Sequence, residues 1–93
     1  MKNSPVLVLH LKGEYFDQIK AGTKPEEYRL RTPYWCKRIE SREYDEILLT
    51  RGYPPSYMTN RQLVRPWRGY EVKKITHPHF GDGEVTVFAI RVN

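Results

Sequence analysis

Cysteine is all but missing. Cys36 is the only one in 93 residues, so no disulfide can form within the chain and a zinc site would lack thiolate partners. A reducing compartment, the cytoplasm, fits that usage. Long apolar runs are missing too: Val6 to Leu11 contains His10 and is followed by Lys12, which is short of a signal peptide's core and of the ~18 apolar residues of a membrane span. The expectation is a soluble protein with no membrane partner. Repeats and low-complexity tracts are absent. Acidic residues are outnumbered, with 11 Asp and Glu against 16 Lys and Arg, and the resulting net charge of +5 favours a polyanionic partner without naming it.

What is present is a chain with room for one domain, residues 1–93, burying roughly 60 to 65% of the surface that its unfolded form exposes. Seven Tyr and two Trp are a large share of amphipathic rings for this length. The bases concentrate in the middle: seven bases against three acids from Lys20 to Arg42, and six against one from Arg51 to Lys74.

The densest chemistry lies in Gly22-Thr23-Lys24-Pro25-Glu26-Glu27-Tyr28-Arg29. Gly22 suits the left-handed position that ends a helix and Pro25 cannot continue one, which predicts a tight exposed connection at Thr23 and Lys24. If the run from Glu26 is extended, Tyr28 and Leu30 share one face while Glu27, Arg29 and Arg31 share the other. Such a face can grip a phosphate and, through a carboxylate kept ionised by its basic neighbours, sense a nearby donor. It can equally be a surface strand with ordinary ion pairs.

Elsewhere the chain reads as a small mixed fold. Val6 to Leu11 reads as a central strand covered on both faces, with His10 at its end as a core, rim or ligand histidine. Glu14 to Ala21 is an amphipathic helix whose Tyr15 hydroxyl could reach the following turn. Thr32 and Pro33 suit a cap and first position for one or two helical turns carrying Trp35 and Ile39. Tyr44 to Thr50 is a strand running into a rigid Gly-Tyr-Pro-Pro turn with Arg51 and Tyr53 on one face. Ser56 to Val64 reads as a long loop. Arg65-Pro66-Trp67-Arg68-Gly69-Tyr70 interleaves bases and rings, either as a single-stranded nucleic-acid surface or as plain cation-aromatic packing. Glu71 to Thr76 and Glu84 to Val92 are strands joined through His77-Pro78-His79, two imidazoles without further clustered ligands, better read as turn geometry than as metal ligands. No metal and no cofactor is expected.

Gly22, Lys24, Glu27 and Arg29 follow a G-x-K-x-x-E-x-R pattern, and with the helix before and the strand after it the chain resembles the ASCH domain family of the PUA-like superfamily. The resemblance implies a mainly β fold with short helices (α+β), a small β-barrel of about five to six strands with one or two covering helices. It also implies a cleft beside the helix-to-strand turn that takes RNA or a nucleotide, lined by Lys24, Glu27 and Arg29. Arg31, Arg51 and Tyr53 are further candidates, and Arg65, Trp67 and Arg68 a flank. Members that are hydrolases suggest an alternative, a metal-independent ribonuclease or an amidohydrolase of a modified nucleoside such as acetylated cytidine. Lys24 and Glu27 would then be the chemical pair, with Glu71 and Tyr15 as further candidates. The branch acting on acetylated cytidine has threonine where this chain has Glu27, so no hydroxyl nucleophile transfers. A protein-interaction module is a third reading, and it predicts no ligand-sized concavity beside Glu27.

Overall fold

The computed structural model describes residues 5–54 and 57–93. Pro55 of the expected rigid turn and Ser56 at the start of the expected loop lie outside the described residues. The elements run β1 (Val6–Leu11), α1 (Gly13–Lys20), β2 (Glu26–Leu30), α2 (Pro33–Ile39), β3 (Glu46–Arg51), β4 (Gln62–Pro66), β5 (Tyr70–Ile75) and β6 (Val85–Arg91), with single 3-10 turns at Thr59–Arg61 and Pro78–Phe80. Among the described residues no helix is long and apolar enough to cross a membrane.

The strands form two three-stranded sheets, in the orders β1-β3-β4 and β2-β6-β5. Only β1 and β3 run parallel, with His10 opposite Thr50; the other three pairings are antiparallel. Neither sheet closes on itself, so the expected barrel is overturned: this is an α+β domain of two open sheets. The reason lies at the seams. Between β4 and β5 the chain passes Pro66 and turns at Gly69, whose φ of 83° is left-handed, so no ladder carries across. Among the described residues there is no ladder between β1 and β2 either, and the Arg29 side chain spans the gap by donating from Nη2 to the carbonyl of His10 at 2.8 Å.

The core fills the space between the sheets. Leu7, Leu9 and Leu11 of β1, Ile47 and Leu49 of β3, and Phe88 and Ile90 of β6 meet Phe16 and Ile19 of α1 and Ile39 of α2. Each such fully buried side chain contributes about 2 kcal/mol. The first strand departs from its expected place. It is an edge strand that buries alternate residues, while Val6 and Val8 stay 40% and 42% exposed on the other face. The expected long loop is also shorter, because its last third, from Gln62, enters β4.

The helix-to-strand turn is fixed from both sides. The Gly22 N–H donates to Ile19 O at 3.0 Å and the Thr23 N–H to Gln18 O at 2.9 Å, the paired bonds of a Schellman motif with Gly22 at a φ of 82°. From the far end of the sequence the Val92 N–H donates to Pro25 O at 2.9 Å, and the Asn93 side-chain amide donates to Ile19 O and Lys24 O at 3.0 and 2.8 Å. Thr32 caps α2 as expected, its hydroxyl accepting from the Trp35 N–H.

Candidate functional site

Because the gap between β1 and β2 is spanned by one side chain and no ladder, it opens into a cleft of about 390 Å³. Its walls are the end of β1, Tyr15 of α1, Lys24 of the turn, Glu27 to Leu30 of β2, Tyr34 and Trp35 of α2, and His77, His79 and Phe80 from the β5–β6 connection. Strand alternation turns Glu27 and Arg29 inward together. Glu27 Oε2 accepts from Arg29 Nη2 at 3.0 Å and Oε1 lies 3.8 Å from Lys24 Nζ.

Glu27 is a buried carboxyl, 6% exposed. Flanking bases predict a carboxylate held low, yet its pKa is raised: burial pushes it up and outweighs the pull of Arg29 and then Lys24. Lys24, expected on an exposed turn, is tucked in, its Nζ 4.7 Å from the centre of the Tyr28 ring and 5.2 Å from that of Tyr15. Burial also raises the Tyr15 hydroxyl, helped by Glu14 and Glu27, so that it keeps its proton and can donate. The Arg29 guanidinium lies 5.2 Å from the Trp35 ring centre, and its Nε is the one buried side-chain polar atom without a partner among the described residues.

His10 and the two later histidines enter the site by routes that sequence spacing does not reveal. The Thr50 hydroxyl donates to Gly52 O at 2.6 Å, so its oxygen is free to accept from His10 Nδ1 at 2.7 Å. In a neutral ring that leaves Nε2 as an acceptor. The orienting partner sits opposite His10 in the β1–β3 register, forty residues away in sequence. His77 and His79 stand 5.8 and 5.9 Å from Tyr15, ring centre to ring centre. Burial lowers the His79 pKa, with Lys12 adding to it. The turn geometry expected there is present, since the His79 N–H donates to His77 Nδ1. Among the described residues no group of three or more metal-ligating side chains occurs.

The remaining candidates are placed elsewhere. Arg31 pairs with Glu40 and Arg51 with Asp17, both at exposed positions. Tyr53 stacks on the outer side of His10. Arg65 Nε donates to Val92 O, Trp67 packs against the core beside Tyr44 and Tyr70, and Arg68 is exposed in the β4–β5 turn. Glu71 pairs with Arg91 and Lys73, away from the cleft, because strand alternation puts it on the outer face of its sheet.

In comparison with known proteins, no family model matches the sequence, and neither a curated protein nor a solved structure matches it. The resemblance to the ASCH and PUA-like families is therefore withdrawn, on that finding and on the absence of the closed barrel that it requires. Four spaced residues are a short pattern, and here they are accounted for by a helix cap and a buried ion cluster.

Proposed function

We propose that the cleft binds the base of a nucleotide, free or in RNA. The observation that carries the reading is the Glu27 carboxylate buried among aromatic walls. A flat, hydrogen-bonding ring is the ligand that uses both, stacking on Tyr, His or Trp while its N–H groups donate to Glu27. Lys12 at the rim and the net charge of +5 suit the phosphate. The volume of about 390 Å³ suits a ligand of this size and counts against a flat protein-interaction face. Titrating the protein with nucleoside monophosphates and short RNAs, followed by intrinsic Trp fluorescence, tests it. Glu27→Gln, which keeps the shape but halves the acceptors, should weaken binding about tenfold or more. Unchanged affinity would remove the base from this cleft.

A second reading, metal-independent hydrolysis of RNA or of a modified nucleoside, has one observation in its favour: a carboxyl raised by burial 3.8 Å from an ammonium is a pair able to move a proton. Tyr15 would serve as a donor. Incubation with labelled RNA and acetylated cytidine in chelator, beside Lys24→Met, separates the two. Product from the parent alone makes the cleft catalytic, and binding without product leaves it a recognition site.

A further inference from the structure

The cleft continues past Arg29. His10, Arg29, Tyr34 and Trp35 line both it and a second groove, of about 430 Å³, that runs along the outward face of β1. The exposed Val6 and Val8 form its apolar floor, and Arg38 and Arg42, at and just beyond the end of α2, stand on its other side. Among the described residues no Asp or Glu lines it. The contrast with other arginines is direct: Arg31 and Arg51 are neutralised by carboxylates, whereas among the described residues neither Arg38 nor Arg42 has one within ion-pair distance. Arg38 is also held in position, its guanidinium 3.4 Å from the Tyr34 ring centre and its Nη1 donating to Tyr34 O at 3.1 Å.

Where the two grooves join, His10 and Tyr53 stack with ring centres 4.1 Å apart. Thr50 fixes the imidazole from below, and Tyr53 is 84% exposed. An aromatic residue so exposed, resting at a tilt of 31° on an oriented ring, is a stacking platform; it lines the same groove as the unneutralised guanidinium groups, against the His10 that also lines the base-sized cleft. These are the two components of single-strand recognition, rings for successive bases and cations for the backbone between them.

We infer that the ligand is a single-stranded oligonucleotide, with one base in the Glu27 cleft, the next nucleotides over His10 and Tyr53 and along β1, and their phosphates facing Arg38 and Arg42. This rests on the base-binding reading above and adds the direction and length of the ligand. A duplex does not meet the requirement, because its bases are paired and stacked out of reach of the cleft. An acidic peptide would satisfy the arginines but gain nothing from the rings or from Glu27.

The test compares nucleoside 5′-monophosphates with trinucleotides across a salt series, for the parent protein, for the double variant Arg38→Ala/Arg42→Ala and for Arg38→Lys/Arg42→Lys. Trinucleotides should bind about tenfold or more tightly than monophosphates, through the added stacking and phosphate contacts. The alanine pair should lose most of that advantage and flatten the log–log salt dependence by about 1.4, at ~0.7 per contact, while the lysine pair keeps the slope. Tyr53→Ala should also reduce the trinucleotide advantage. RNA and DNA trinucleotides in parallel identify the sugar. Monophosphates binding as tightly as trinucleotides, or a salt slope unchanged in the alanine pair, would overturn the extended path and leave the cleft reading intact. Displacement of the trinucleotide by a poly-glutamate peptide at equal charge would overturn it in favour of an acidic partner. Absence of binding by both ligand lengths would remove both readings together.

Discussion

Glu26 and Glu27 are neighbours on one strand and point to opposite faces of its sheet. Glu26 faces out, where both of its oxygens accept from Lys73 Nζ, at 2.9 and 3.0 Å, beside the Lys73–Glu71–Arg91 ladder. That hydrogen bond raises the Lys73 pKa, and the long side chains help to cover Val87 and Ala89, which are fully buried on the same face of the sheet. Glu27 faces in, where two cations do not make up for lost water and its carboxyl is pushed up instead. One residue type is therefore held in an ion pair on one face and pushed towards its protonated form by burial on the other. Both glutamates have basic partners and little exposed side chain, 15% and 8%, and the difference lies in fit: Lys73 meets both Glu26 oxygens at 2.9 and 3.0 Å, whereas Glu27 has one close contact, to Arg29, and Lys24 at 3.8 Å.

The most severe way to break the inner cluster is Arg29→Met. It leaves Glu27 buried with only the more distant Lys24 and cuts the link to β1, and it should cost about 3 kcal/mol, read from the urea midpoint. A loss no larger than that of an outer-face variant would mean that Glu27 does not depend on Arg29 more than Glu26 depends on Lys73.

The pH dependence sharpens the comparison next. Because the folded value of Glu27 is raised, the folded state holds the proton more readily than the unfolded chain does. Its contribution to stability is fully present below the ordinary carboxylate range, about pH 4, and is lost as pH rises through the folded value. Nucleotide affinity should run the other way over the same window, since the acceptor must be ionised. Melting curves and titrations across pH should show opposed slopes, and Glu27→Gln should flatten both.

Gly22→Ala probes the turn that delivers Lys24 to the inner face. An added Cβ meets nothing within 4 Å, so the cost is the left-handed backbone alone, about 1 kcal/mol in stability. The smallest effect belongs to Glu26→Gln on the outer face. Its loss of stability should be a fraction of that of Arg29→Met and should shrink further in about 1 M salt, where screening acts within ~3 Å.

Much of this was legible locally. Gly22 and Pro25 mark a helix end, Thr32 and Pro33 mark a helix start, and alternation from Glu26 puts Glu27 and Arg29 on one face, because each of these signals is decided within a few residues. What was not legible depends on pairing. Val6 to Leu11 looks like a central strand until one sees that its edge is left open, and its outward valines then become a groove floor. His10 lacks a visible partner because Thr50 comes from β3. His77 and His79 reach Tyr15 through the course of β5 and β6. Arg51 and Trp67 look like ligand contacts by composition, but one finds Asp17 and the other finds the core. A four-residue pattern carried the wrong family and the wrong closure, since local spacing says nothing about whether edges meet.

The Asn93 amide that ties Ile19 to Lys24, and the Val92 N–H on Pro25, set an order of events during synthesis. The turn carrying Lys24 emerges from the ribosome before residues 92 and 93, and its ties to them do not exist until they have also emerged. A nascent chain would therefore display its basic middle well before it owns a finished pocket.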